Sequence, residues 1–510
     1  MATKKTTAKK TAATPDTAAA SPGSASRITV RMYRQGLGDC FLITAPGNSG
    51  SPFHMLIDCG VVLGTPDPAT RMKAVLGDIT TVTGGQIDLL VVTHEHWDHV
   101  SGFVQVQAQF DALKIEKVWV AWTEDPADPL AKKLREERRT AEKALRMAVN
   151  RLALSADTET AQRVDSLVGF FGISQGSTEA SLTYVKKRAT GGKPRYCCPG
   201  EPPIALPELP GIRFWVLGPP KDEKLIKKSN PGQGSAYGLD AGPGGSQAFL
   251  IAGLARHMNP ATDPTTRDDS MEEPFDPGYS IPMARAEHVR FFEQVYFGES
   301  TDGSLYDRSS SQAIRDQSWR RIDADWMGAS ETMALQLDSA TNNTSLVLAI
   351  ELIAKGDIPG DILLFPGDAQ AGNWLSWQKL QWEIGDGDKK KTVTGPGLLA
   401  RTIFYKVGHH GSHNATLKAQ GLEQMVSDEL VAMIPVDHAM AVKKRWGRMP
   451  LPDLVSRLQE KTHGRVLKVD DDVKAPGDLA KLKPKDASAA DWMAFTDRVT
   501  VTELYYEISF

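Results

Sequence analysis

The stretch Thr93-His94-Glu95-His96-Trp97-Asp98-His99 constrains this chain more than any other. It follows Leu89-Leu90-Val91-Val92, a short apolar run that reads as a buried strand. A strand ending in an extended loop throws alternate side chains to one side. His94 and His96 can therefore close on one metal ion, while a turn at Trp97 aims Asp98 and His99 at a second. Imidazole plus carboxylate suits zinc, iron or manganese, and two such ions about 3.5–4 Å apart can activate a water and stabilise a leaving oxygen. Four ligand-type residues in six positions at a strand end set this stretch apart from an ordinary polar loop.

Composition narrows the classes. A length of 510 residues allows about three domains or one large domain carrying insertions. Lys and Arg total 59 against 63 Asp and Glu, so the chain as a whole is no polycation and any basic surface is local. Cys40, Cys59, Cys197 and Cys198 form no C-x-x-C pair, which argues for a reducing cytoplasm over a disulfide framework or a zinc ribbon. The sequence holds no apolar run of membrane-spanning length, so no membrane partner is expected. Residues 1–26 are Ala, Thr, Ser, Lys and Pro almost throughout and read as a disordered basic tail.

The rest reads as one α/β layered domain over 27–510, interrupted by an insertion at about 221–340. Ile28 to Tyr33 and Cys40 to Ile43 alternate around Gly36-Leu37-Gly38-Asp39 as a hairpin. A third strand, His54 to Ile57, ends at Asp58, which is either a turn-former or a carboxylate that orients a ligand histidine. A helix over 129–152 carries Lys132, Lys133, Arg135, Arg139, Lys143 and Arg146 on its polar face, either as solvated charge or as a nucleic-acid stripe. The insertion is rich in Gly and acidic residues, is read as loops with short helices, and could recruit a protein partner; His257 and His288 within it have no companion ligands.

Beyond the insertion, a strand delivers a ligand-type residue twice more. Ile362 to Phe365 leads to Gly367-Asp368, and Thr402 to Val407 leads to Gly408-His409-His410-Gly411-Ser412-His413. Asp368 could bridge two ions, and either His409 or His410 could complete the second. Three histidines within five residues cannot all be ligands, so at least one orients a ligand, binds substrate or moves a proton. Lys443-Lys444-Arg445-Trp446-Gly447-Arg448 then offers clustered cations beside an aromatic ring.

Taken in order, Gly36 to Asp39, Leu56 to Gly60, Thr93 to His99, Phe365 to Asp368 and Val407 to Ser412 resemble the ordered motifs of the metallo-β-lactamase superfamily. With Asn342-Asn343-Thr344-Ser345 and His409 to Ser412, the chain is most similar to the soluble hydrolase domain of competence-type DNA-uptake proteins. The resemblance implies a four-layer αβ/βα sandwich with two divalent ions, zinc or manganese. It implies His94 and His96 on the first ion, Asp98 and His99 on the second, Asp368 on both, and His409 or His410 serving the site. Many members have a histidine where Asn342 or Asn343 stands here. Their later Gly-His-Pro element appears as Gly447-Arg448-Met449-Pro450, for which His438 could compensate. The catalytic set implied is Asp98, His410 and His438. Asp39, Asp58, Asn342, Asn343, Ser412 and His413 are expected to orient it, and Lys406, Lys443, Lys444, Arg445 and Arg448 to hold a phosphodiester substrate.

Three functions compete at this level. The leading expectation is a metal-dependent phosphodiesterase acting on DNA. A hydrolase of a small ester, lactone or amide is the second, and a metal-stabilised binding module without catalysis is the third.

Overall fold

The computed structural model describes residues 27–48, 50–154, 178–229, 337–353, 359–385, 390–444 and 448–510, together with 281, 285, 288–292, 387 and 446. The basic tail 1–26, most of the 221–340 segment with His257, and Arg445 lie outside these residues.

Six strands open the chain: β1 (Thr29–Tyr33), β2 (Phe41–Pro46), β3 (Pro52–Ile57), β4 (Gln86–Val91), β5 (Lys114–Ala121) and β6 (Arg195–Cys197). A second series follows: β7 (Ile212–Gly218), β8 (Val347–Leu352), β9 (Asp361–Phe365), β10 (Gln381–Ile384), β11 (Lys391–Thr394), β12 (Thr402–Lys406), β13 (Val431–Ile434) and β14 (Val466–Lys468). The chain closes with β15 (Val499–Val501) and β16 (Tyr505–Ser509). One sheet has the order β15-β16-β1-β2-β3-β4-β5-β6 and the other β14-β13-β12-β9-β8-β7, with β10 and β11 forming a separate hairpin. In the first sheet β3, β4, β5 and β6 run parallel, and in the second β9, β12, β13 and β14 do. The last strand pairs with the first, Thr29 opposite Ser509, so the C-terminus completes the first sheet.

The strands are apolar on both faces because both faces are covered. Leu89 and Val91 of β4 point between the sheets, while Leu90 and Val92 point at helices. Leu363 and Phe365 of β9 likewise face the inter-sheet core, and Ile362 and Leu364 the opposite layer. This period of two inside a continuous apolar run is what a doubly covered sheet requires. Phe41 of one sheet meets Phe365 of the other edge to face at 5.7 Å, and Trp119 meets Phe214 at 5.1 Å. The helices α1 (Pro68–Thr83), α2 (Trp97–Gln105) and α3 (Gln107–Asp111) cover the outer face of the first sheet. The architecture is the expected four-layer αβ/βα sandwich.

Two local readings change. A helix starts where the sequence shows a turn at Trp97, with His96 as its cap, so Asp98 and His99 sit in a first helical turn and not in an extended loop. The long basic helix α4 (Pro129–Leu154) turns several of its cations toward the protein. Arg138 pairs with the buried Glu95, Arg139 with Glu179, and Lys133 with Glu223 at 2.9 Å, while Arg135 donates to the carbonyls of Thr123 and Asp125.

Glycines let the loops close on the metal-motif segment. A Cβ on Gly60 would lie 2.4 Å from the carbonyl carbon and oxygen of Asp98, and one on Gly38 2.7 Å from that oxygen. The close approach allows Asp39 N to donate to Asp98 O (3.0 Å) and Cys59 N to His99 O (2.9 Å). Gly60→Ala should therefore destabilise the fold by about 1–3 kcal/mol, the usual range for overpacking. The check is a urea unfolding midpoint, and an unchanged midpoint would show that the loops part without cost.

Candidate metal centre

Four strand ends converge on one edge of the sandwich. β4 delivers Thr93 to His99, β3 delivers Asp58, β9 delivers Asp368, and β12 delivers Lys406, His409 and His410. His94, His96, Asp98, His99, Asp368, His409 and His410 are all buried.

One group of donors surrounds a common point. His410 Nε2 lies 2.7 Å from Asp98 Oδ2 and 3.7 Å from Asp368 Oδ2. His99 Nε2 lies 3.1 Å from Asp368 Oδ2 and 4.0 Å from Asp98 Oδ2. Two ligands about 2.1 Å from one ion at a tetrahedral angle stand about 3.4 Å apart, which is the scale of these separations. A second pair lies beside it: His94 Nε2 and His96 Nδ1 face each other at 3.0 Å.

The remaining imidazole nitrogens are held by the scaffold. His94 Nδ1 is 3.1 Å from Thr93 Oγ1, His99 Nδ1 is 2.7 Å from Asp58 Oδ2, and His410 Nδ1 is 2.7 Å from the carbonyl of Pro435. Such outer contacts fix ring orientation and tautomer, leaving the inner nitrogen with its lone pair toward the cluster. Asp58 is thus an orienting carboxylate; its other contacts are Thr93 N and Thr93 Oγ1, at 2.8 and 2.6 Å.

Asp368 is divided between two tasks. Its Oδ1 accepts from Lys406 Nζ (3.0 Å) and from His409 N (2.9 Å), leaving Oδ2 to face His99 and His410. The backbone of Asp368 is pinned in turn by Ser345 Oγ at 3.1 Å. His409 and His410 both take the left-handed conformation, with φ of 44° and 52°. For residues with a Cβ that conformation costs about 1–2 kcal/mol each. It points His410 at Asp98 while leaving His409 on the other side, 3.3 Å from Gln370 Nε2 and 3.5 Å from Asn342 Nδ2. His410, not His409, therefore belongs with Asp98 and His99.

Charge explains why ions fit. Asp39, Asp58, Asp98, Asp338 and Asp368 are all buried, with Lys406 the one lysine or arginine whose side chain contacts this group among the described residues. Five carboxyl groups face one ammonium in a low-dielectric pocket, and burial raises those of Asp39 and Asp338, an excess of acidic groups that divalent cations would balance. Asp39 Oδ1, Asp98 Oδ1, Asp338 Oδ1 and Asn342 Oδ1 are buried without a hydrogen-bond partner, as unsatisfied ligand oxygens would be. Asp39, His99, Asp368 and His410 also offer ligand atoms all within 4.8 Å of one another. Protons on two histidines offset part of this charge. Burial lowers the basicity of His99 and His410, but the carboxylates of Asp368, Asp98 and Asp39 outweigh it and hold both above the usual histidine value. Burial works against the charge on Asp98, yet His99 and His410 bring its carboxyl down to about 2. Burial together with neighbouring histidines pushes His94 well below its ordinary value, and burial drives His96 to about 3.

Several expected roles change. Lys406 is 1 % exposed and binds Asp39 (2.5 Å), Asp368 and the carbonyl of Gly367 (2.8 Å), so it neutralises the site's own carboxylates and does not reach a substrate phosphate. His438 is exposed; its Nδ1 bonds the carbonyl of Met449 (2.8 Å) and its N–H bonds Asp470 (2.8 Å), outside the cluster, so it does not compensate for a missing histidine. Asn343 bonds Lys228 O and Gln370 N, leaving Asn342 as the amide that faces the site. Ser412 donates to Asn414 at 3.2 Å, and His413 is half-buried next to it. Lys443 and Arg448 are exposed and Lys444 is half-buried.

Asp338 is absent from the sequence expectations because it lies in the 221–340 segment, which reads as an insertion apart from the site. Residues 337–342 are helical, and the i, i+4 spacing to Asn342 is the signal that could have found it.

Residues 34–167 match the family model described as Metallo-beta-lactamase superfamily. Over these residues the chain is similar to the metallo-β-lactamase superfamily. The matched segment spans the Thr93–His99 motif and ends before the second sheet, whose strands supply Asp368 and His410. No curated protein and no solved structure matches the chain. The superfamily match and the buried His/Asp cluster together point to a metal-dependent hydrolase. Among the described residues no helix is long and apolar enough to cross a membrane.

Because protons on His99 and His410 compete with metal, loading the stripped protein should release protons. Affinity should rise with pH by about tenfold per unit for each proton displaced, until the folded pKa values of these histidines are passed. Titration with a divalent ion in weakly buffered solution checks this, and a pH-independent affinity between pH 6 and 8 would contradict it. His96→Ala should lower metal content and abolish hydrolysis while leaving the circular dichroism spectrum close to that of the parent, since a loop ligand adds little to the core.

Proposed function

We propose that the chain is a phosphodiesterase and that its substrate is DNA. The observation that carries this reading is the oxygen-rich donor set. Asp98, Asp368, Asp39 and the amide of Asn342 surround only four inward-facing imidazoles. Hard oxygen donors shift preference toward manganese or magnesium, the ions most used on phosphoryl oxygens.

When bound, divalent ions supply Lewis acidity that lowers the pKa of water and offsets charge on a phosphoryl oxygen. His94 and His96 would hold one ion, Asp98, His99 and His410 the other, with Asp368 facing both. The chain's remaining contribution is orientation and proton control. Lys406 fixes Asp368 and keeps it ionised: burial opposes its charge, but Lys406, His99 and His410 hold it well below the ordinary carboxylate value. Burial brings His409 down to about 4, so its ring is neutral at pH 7 and serves as a hydrogen-bonding group beside the cluster, facing the amides of Gln370 and Asn342, and not as a base.

Support for a polyanionic substrate comes from the rim. Leu451 N bonds the carbonyl of Gly411 at 2.9 Å, which seats the loop after Lys443 and Arg448 against the His409–Gly411 turn. Two exposed cations thus stand on the segment adjoining the site, whereas Lys133, Arg138 and Arg139 of α4 are paired within the protein. The competence-type resemblance of Asn342 to Ser345 and His409 to Ser412 points the same way.

The test is a panel of single- and double-stranded DNA, RNA, an aryl phosphodiester, a lactone and a β-lactam, each with manganese or zinc. DNA cleavage restored by manganese after mild chelation is expected. Replacing Lys443 and Arg448 by Ala should weaken DNA binding for all sequences and flatten its log–log salt dependence by about two, roughly one per cation removed. Turnover of the aryl phosphodiester should change little. Intact DNA under every metal, beside rapid opening of a lactone or β-lactam, would replace this reading with a small-molecule hydrolase.

A further inference from the structure

A buried carboxylate stands beside the imidazole of His96. The group that faces its outer nitrogen is Asp338: Oδ1 lies 3.7 Å from His96 Nε2. Asp338 is 6 % exposed, and this Oδ1 has no hydrogen-bond partner. Its other oxygen, Oδ2, accepts from Asn342 Nδ2 at 3.1 Å, one helical turn away. A buried carboxylate with one oxygen tied and the other aimed at an imidazole N–H is the arrangement that orients a metal-binding histidine.

We infer that Asp338, steered by Asn342, is the positioning carboxylate of His96, and that it supports the first ion's site where many relatives have a third histidine. The inference rests on the dinuclear reading of the cluster but not on the identity of the substrate. His96 Nδ1 already faces His94 Nε2, so the tautomer required is Nε2–H, with the proton directed at Asp338 and the Nδ1 lone pair at the ion. Asp338 does for His96 what Asp58 does for His99. It also means that residues 337–342, at the end of the 221–340 segment, form part of the site.

The experiment uses the full chain and zinc as the probe. Competition against a chromophoric chelator gives the two affinities, and nitrogen-15 imidazole spectra of the zinc-loaded protein give the tautomer of each histidine. The wild-type protein should show His96 as Nε2–H. Asp338→Ala should weaken one site by about 10–100-fold, the range for losing such a partner, and leave the other unchanged. Asp338→Asn keeps an acceptor oxygen and the side-chain shape, so it should retain the Nε2–H tautomer with a smaller loss; it also serves should the Ala variant not fold. Unchanged affinities in both variants, or His96 as Nδ1–H in the wild type, would overturn the inference. Complete loss of one site in Asp338→Asn, with the His96 tautomer unaltered, would also overturn it by making Asp338 a ligand. A wild-type chain that binds no zinc would instead defeat the metal-centre reading itself.

Discussion

Asp368 is the point on which the two halves of the molecule depend. One carboxylate oxygen is held by Lys406 and the backbone of His409, both from the second sheet, while the other faces His99 from the first. Neither sheet could place this group alone. The inter-sheet core sets the spacing: Phe365, three residues before Asp368, packs on Phe41 of the first sheet and on Phe404 of β12. Hydrophobic packing thus positions the edge, and the edge positions the charge.

That charge is costly to bury. A single unpaired buried carboxylate would be destabilising by several kcal/mol, and here five lie within one pocket. The protein answers with three devices: the buried Lys406, protons retained by His99 and His410, and backbone donors such as His409 N and Thr93 N. Each is a partial substitute for divalent cations. Lys406 illustrates why a cation in a sequence cannot be assigned to substrate by type. At the end of a buried strand, its ammonium finds carboxylates of its own chain before it finds solvent.

Much of the architecture was legible in the sequence because both sheets are covered on both faces. Continuous apolar runs ending in ligand-type residues mark β4, β9 and β12 without ambiguity, whereas the pairing of β16 with β1 across the full chain leaves no local trace. The ligand motif was equally clear at His94, His96, Asp98 and His99. What the sequence could not decide was direction. His409 and His410 are chemically identical, and only two successive left-handed residues determine that His410 turns inward. Asn342 and Asn343 pose the same problem, resolved by the helix over 337–342. His438 looked suitable by type, but its ring is occupied by the carbonyl of Met449.

The inward turn of α4 extends the argument from site to surface. Glu95, inside the metal motif, meets Arg138 and Thr178 Oγ1, the latter at 3.1 Å. Burial carries its carboxyl up to about 7 against the pull of Arg138, so the pair is held by enclosure as much as by attraction. The motif is consequently braced on both sides: Asp58 and Thr93 from the strands, Arg138 from the helix. A basic helix face that reads as a nucleic-acid stripe in sequence is in part a structural brace for the ligand loop. Among the described residues, Lys443 and Arg448, which follow β13, stay exposed on the segment that leads to the contact of Leu451 with Gly411.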